Sequence, residues 1–141
     1  MQMHPYVNFN GQCEAAFRFY EQCLGGQLGP IFRYAGTSMT DQVPADWQDK
    51  VMHASVAIGG QVLQGADVAL DRYETPKGFS LSLEMTSTTE ADRIFQMLAK
   101  DGTVEMPLEK TFWAARFGVV VDQFRIRWLI NCGGSDQPVE A

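Results

Sequence analysis

Few side chains in this sequence can do polar chemistry, and their types and places limit what that chemistry is. His4 and His53 are its two histidines, Glu84 stands alone between leucine and methionine, and Arg116, Arg125 and Arg127 crowd the end of an acidic chain. An imidazole can ligate a metal or move a proton near neutral pH. A carboxylate can accept a proton, whereas a guanidinium has donors only, stays protonated, and so holds anions rather than metals. Cys13, Cys23 and Cys132 add three thiols, without a CxxC pair or a Cys/His cluster that would indicate zinc or a redox motif. A cysteine nucleophile would need Cys13 or Cys132 beside His4 or His53. No G-x-S-x-G elbow, P-loop or Rossmann glycine run is present, so no nucleotide cofactor is expected.

The elements that must position these groups are legible from apolar spacing. Residues 4–9 alternate and end at the turn pair Asn10-Gly11, which predicts a strand. Ala16, Phe17, Tyr20 and Leu24 fall at helical spacing over 13–24, with Gly25-Gly26 as the stop. A strand over 27–34 precedes a long polar loop, 35–50, whose aromatic anchor is Trp47. Strands over 51–58 and 61–65 form a hairpin about Gly59-Gly60. After a linker at 71–77 come a strand over 79–85 and a helix from about 89 to 101, capped by Thr88 or Thr89. Strands over 103–108, 112–121 and 125–131 follow, and 133–141 reads as a flexible tail.

This order repeats. Glu14-Ala15, Phe19 and Gly26 return as Glu90-Ala91, Phe95 and Gly102, a shift of 76 positions. Two supersecondary units are therefore expected, the first carrying some 14 extra residues that coincide with the Trp47 loop. Such an insertion reads as a lid, a rim or an interface.

Residues two apart on a strand share a face, so the apolar set on each strand identifies the polar set opposite it. Val7 and Phe9 leave His4, Tyr6 and Asn8 together; Met52, Ala54, Val56 and Ile58 leave His53 and Ser55. Phe79, Leu81 and Leu83 leave Ser80, Ser82 and Glu84, and Ile126, Trp128 and Ile130 leave Arg125, Arg127 and Leu129. Of Phe112 and Trp113, at the start of a strand, one must face away from the other.

At 141 residues the chain is one domain in size and long enough to bury roughly 70% of its unfolded surface without disulfides. Its formal charge of −6 disfavours a nucleic acid or an anionic membrane surface as a partner. No signal-peptide pattern and no membrane-length apolar stretch is seen, and reduced thiols fit a cytoplasmic protein.

Particular phrases carry a resemblance. Tyr6-Val7-Asn8-Phe9-Asn10-Gly11, 15–20, Leu24-Gly25-Gly26, Met52-His53-Ala54, 104–108, Thr111-Phe112-Trp113, Phe117-Gly118 and Asp122-Gln123-Phe124 resemble the vicinal oxygen chelate superfamily of glyoxalase I, bleomycin-resistance proteins and ring-cleaving dioxygenases. Within it they are similar to the PhnB-like branch, also named for a demethylubiquinone methyltransferase-like domain, over about residues 3–132. The resemblance implies an α+β fold in one domain over 1–141, built of two βαβββ modules at about 3–70 and 77–132. Their curved mixed sheets would form a half-barrel cavity, with helices on the convex side. It also implies a divalent metal held by one residue from the first strand and one from the hairpin region of each module, binding adjacent substrate oxygens. His4 and His53 match the first two positions; Gly78 and Arg127 fall on the others, and a guanidinium cannot ligate.

Two readings follow from the resemblance, beside a third in which the chain is a dimeric interaction protein whose cavity is vestigial and filled by its own side chains. In one, a small, anionic molecule binds in the cavity with metal-assisted lyase or isomerase chemistry: His4 and His53 hold the metal or act as acid and base, Glu84 accepts a proton, Arg127 holds the anion, and Trp113, Tyr6, Asn8 and Ser55 line the substrate. In the other, the chain is a non-catalytic dimer that binds or sequesters a small molecule or antibiotic, with a degenerate metal site. Glu84 and Arg127 also admit a plain cross-sheet ion pair, and the histidines a plain pair of neutral rings. A homodimer is expected, with strand edges and the Trp47 loop at the interface.

Overall fold

The structure, a computed structural model, describes residues 1–133. The chain divides between Thr75 and Pro76 into two compact units, each an open, mixed, curved sheet with one helix on one face.

The first unit runs β1 (Tyr6–Phe9), α1 (Cys13–Leu24), β2 (Gln27–Leu28), β3 (Phe32–Arg33), β4 (Val51–Ile58) and β5 (Gln61–Asp67). β1 pairs parallel with β5, β5 antiparallel with β4, and β4 antiparallel with both β2 and β3. Helix α1 buries Cys13, Ala16, Phe17, Tyr20 and Cys23 against the strand face that carries Val7, Phe9, Ala54 and Val56. Gly65 permits the close approach, because a Cβ there would stand 2.7 Å from Val7 O and 2.8 Å from Phe17 Cζ. The helix stops at Gly25, whose φ of 71° is the left-handed conformation that glycine adopts without penalty.

The strand expected over 27–34 is two short pieces. Gly29 N–H donates to Ser55 O, but Pro30 has no N–H to offer, so the ladder breaks and its register shifts at Phe32/Arg33. The loop over 35–50 contains two short 3-10 turns and is anchored by more than Trp47. The buried Tyr34 donates its hydroxyl to Asp67 O at 2.6 Å, and Gln48 Nε2 donates to Thr40 O at 2.9 Å. Trp47 lies over Gly11, where Lys50 Nζ also donates to the carbonyl at 3.2 Å.

The second unit runs β6 (Leu81–Met85), α2 (Thr88–Ala99), β7 (Thr103–Glu109), β8 (Arg116–Val121) and β9 (Arg127–Cys132), with sheet order β6-β9-β8-β7. α2 buries Ala91, Ile94, Phe95 and Leu98. It is capped by Ser87, whose Oγ accepts from Glu90 N at 3.1 Å, rather than by Thr88 or Thr89. Gly118 leaves room for Phe95, whose Cε2 would be 2.8 Å from a Cβ at that position. Three strands are shorter than the alternation suggested: 79–80 and 112–115 precede their ladders, and Arg125, at φ 72°, lies in the turn before β9. Gly133, placed in the tail by sequence, still donates to Met85 O at 3.0 Å; the rest of that tail lies outside the described residues. Among the described residues no helix is long and apolar enough to cross a membrane.

Candidate functional site

Away from α1, the first unit presents two rows of side chains. Tyr6, Gln64 and Ser55 stand in register across β1, β5 and β4. One step along, Asn8 is opposite Ala66 and His53 is opposite Phe32. The alternation that buries Val7 and Phe9 turns Tyr6 and Asn8 outward, and burial of Ala54 and Val56 turns His53 and Ser55 outward on β4.

Tyr6 reaches diagonally between the rows, and its hydroxyl is hydrogen-bonded to His53 Nδ1 at 3.2 Å. The two ring centroids are 5.7 Å apart, with Phe32 6.4 Å from the imidazole on its other side. Tyr6 and Phe32 are 49% and 51% exposed, so the His53 imidazole stands between two aromatic rings that face solvent. Burial holds the Tyr6 phenol above the usual tyrosine range, with smaller pushes from Cys13 and Tyr34, so the group stays a hydroxyl. With Nδ1 engaged by Tyr6, Nε2 is the imidazole atom left to meet a ligand. Ser55 is partly covered, since a Cβ at Gly29 would lie 2.8 Å from its Oγ.

His4 is not part of this group. β1 begins only at Tyr6, and the His4 ring lies half-buried with Nε2 3.3 Å from Gln2 Oε1. Continuing the strand backwards puts it four residues from the His53 row, on the order of 13 Å along the sheet.

Sequence reasoning missed the group that holds this site in place. Asp67, 1% exposed, accepts from Gly11 N at 3.0 Å and Cys13 N at 2.9 Å through Oδ1, and from Val51 N at 2.9 Å through Oδ2. It supplies the cap that Gln12 does not and puts a carboxylate at the positive end of α1. It thus ties the β1–α1 corner to the start of β4, two residues before His53. Asp122 does comparable work in the second unit, accepting from Phe124 N at 2.7 Å, Ile126 N at 3.1 Å and Trp128 Nε1 at 2.8 Å. A short acidic side chain opening the 122–125 turn was a readable signal. Asp67 gave none, because its partners are 16 to 56 residues away.

On the face of the second unit away from α2, Glu84, Asn131 and Phe117 form a row across β6, β9 and β8. Arg127 lies on the same face, four residues along β9 from Asn131. The Glu84–Arg127 ion pair is therefore not formed. Arg127 instead grips Glu105 of β7 through Nε and Nη2, at 2.6 and 3.0 Å, reaching across β8. That guanidinium holds the Glu105 carboxyl below the usual carboxylate range. Trp113 belongs to the bend before β8 rather than to the strand, its ring 5.3 Å from Phe117 and 4.7 Å from Phe112. Arg116 pairs with Asp92 of α2 at 3.2 Å.

All three cysteines are free and buried. The Cys13 thiol is pushed far up by burial, then by Asp67 and Glu14, and Cys132 is also raised by burial, so neither is a thiolate nucleophile.

A family-type divalent site needs several His, Glu or Gln donors converging. Here His53 offers one free nitrogen, His4 lies apart from it ahead of the first strand, and the two matching positions of the second unit are Gly78 and Arg127. Among the described residues no three His, Cys, Asp or Glu side chains form a group that could hold a metal ion. The donors present in either unit do not fit a divalent ion, and no chemical step is assigned to one.

Comparison with known proteins matches this architecture. Protein YjdN of Escherichia coli (strain K12) is 33% identical over 140 residues, covering 93% of this chain and 95% of that protein. The crystal structure of protein PA1353 from Pseudomonas aeruginosa aligns with a TM-score of 0.86 at 43% identity, covering 96% of this chain and 99% of that one. The putative 3-demethylubiquinone-9 3-methyltransferase, PhnB protein, from Bacillus cereus aligns with a TM-score of 0.79 at 25% identity, over 94% and 100% of the two chains. The family model for the Glyoxalase/Bleomycin resistance protein/Dioxygenase superfamily matches residues 2–130, and the chain belongs to that superfamily, with PhnB-like proteins among its neighbours.

Proposed function

We propose that this chain binds a small molecule carrying an acidic oxygen on the open sheet face of its first unit, and that its role is binding and sequestration. The observation that carries this reading is the Tyr6–His53 hydrogen bond of 3.2 Å set between the half-exposed rings of Tyr6 and Phe32. A few placed polar groups among apolar and aromatic side chains are the lining that small-molecule sites share. The imidazole Nε2–H, oriented by the Tyr6 hydroxyl on Nδ1, is the donor for a carboxylate, phenolate or enolate, with Asn8 at the edge, while Phe32 and the Tyr6 ring take up the apolar part of the ligand. Arg127 joins an anion only where that anion displaces Glu105. We further propose a homodimer, which would cover exposed apolar groups such as Val104 and Met106 on the edge strand β7, and a reducing cytoplasmic setting, which the three free thiols fit.

The test is native mass spectrometry with metal analysis of protein purified from its own cells. The expected result is a retained small acidic molecule, lost in His53→Ala, without stoichiometric divalent metal. Stoichiometric metal lost in His4→Ala would replace this reading with metal-assisted lyase or isomerase chemistry, and neither metal nor ligand would remove the binding function.

A further inference from the structure

The second unit carries a surface of opposite character that the reading above does not use. Glu84, Asn131 and Phe117 stand in one row on the face away from α2, neighbours about 4.8 Å apart. Glu84 is exposed and has neither a hydrogen bond nor an ion pair among the described residues. Asn131 Oδ1 is buried and has no hydrogen-bond partner. Trp113 stands edge-on to Phe117 at 5.3 Å, with Phe112 packed on it at 4.7 Å. Arg127, the cation that the sequence offered as a partner for Glu84, is engaged by Glu105.

These features ask for one kind of occupant. A buried amide oxygen without a donor costs stability that nothing within the unit returns. The lone carboxylate beside it is a second acceptor, so the row calls for N–H donors and repels anions. The adjoining aromatic rings favour a cation over a neutral donor and give its apolar part a wall to lie on. We infer that this row is a binding site for a primary organic ammonium ion, whose N–H groups meet Glu84 and, once the Asn131 amide turns toward the open face, its Oδ1, while the carbon skeleton rests on Phe117 and Trp113. A quaternary ammonium would leave Asn131 unsatisfied.

The test is an NMR titration of the labelled full chain with four probes sharing one ring: benzylamine, benzyltrimethylammonium, benzyl alcohol and benzoate. The amides of Glu84, Phe117 and Asn131 and the Trp113 indole N–H are followed. Benzylamine is expected to give saturable shifts there and to bind about tenfold more tightly than the alcohol or the quaternary ion. Glu84→Gln, at an exposed position, should weaken benzylamine about tenfold, while Asn131→Asp should strengthen it severalfold by adding a second carboxylate. The inference is overturned if benzoate shifts these four resonances at lower concentration than benzylamine, if Glu84→Gln leaves benzylamine affinity unchanged, or if benzylamine gives no saturable shift there. The proposal is read on second-unit resonances and the reading beside His53 on Tyr6, Phe32 and His53, so failure of one is distinguishable from failure of the other.

Discussion

Tyr6 and His53 lie 47 residues apart in the chain and share a hydrogen bond of 3.2 Å, because β5 stands between their strands and holds both in register. The site in the first unit is thus a product of sheet topology, and its integrity depends on the groups that fix β1 and β4 to one another.

Asp67 is the first of these. Replacing it with Ala leaves three backbone N–H groups without their acceptor, two at the α1 corner and one at the start of β4. A loss of about 3 kcal/mol or more is expected, from urea unfolding followed by circular dichroism. Asp67→Asn should recover only part of it, since one amide oxygen replaces two carboxylate oxygens. A loss under about 1 kcal/mol for both variants would contradict the assigned role.

Gly65→Ala tests the packing beneath the site. The added methyl meets Val7 O and Phe17 Cζ, so overpacking should cost about 1 to 3 kcal/mol and lower the melting temperature measurably. Gly36→Ala, where nothing lies within 4 Å but φ is 76°, is the comparison that isolates backbone strain from contact.

Stability should fall on the alkaline side. Burial raises Cys13, Cys132, Tyr6 and Tyr34, so each prefers its protonated form more strongly when folded. Their contribution is complete below the unfolded values, about 8.5 for a thiol and 10 for a phenol, and is lost as pH rises through the higher folded values. The urea midpoint should be steady from about pH 7 to 8 and decline above about pH 9, less steeply in Cys13→Ala. A midpoint that stays level to about pH 10.5 would exclude this linkage.

The Arg127–Glu105 pair has the opposite sign. Its lowered carboxyl contributes above the unfolded glutamate value, about 4.3, and that contribution disappears as pH falls through the folded value. In Arg127→Gln the Glu105 carboxyl should titrate nearer the ordinary range by carbon-13 NMR, with little change in melting temperature, since water screens the pair. An unmoved Glu105 titration would show that the ion pair is not populated in solution.

How much of this the sequence showed depends on distance along the chain. The helices, the repeat and the facing of Val7, Phe9, Ala54, Val56, Ile126, Trp128 and Ile130 follow from local periodicity, and the buried residues agree with it. Ser87 rather than a threonine as the α2 cap was also local information, in the pattern Ser87-x-x-Glu90. The choice of Glu105 over Glu84 as the partner of Arg127 was not, because it depends on which strand lies beyond β8 and on how far along β9 each row falls. The same holds for His53. Alternation turned it outward, but only the register of three strands chose Tyr6 over His4 as its neighbour.

The most direct measurement of the central claim is a benzoate titration of the labelled protein, following the Tyr6, Phe32 and His53 amides and the imidazole resonances. Saturable shifts at these residues are predicted, with affinity reduced about tenfold in His53→Ala and severalfold in Tyr6→Phe. No saturable shift there at tens of millimolar, or equal affinity in the wild-type protein and both variants, would contradict it.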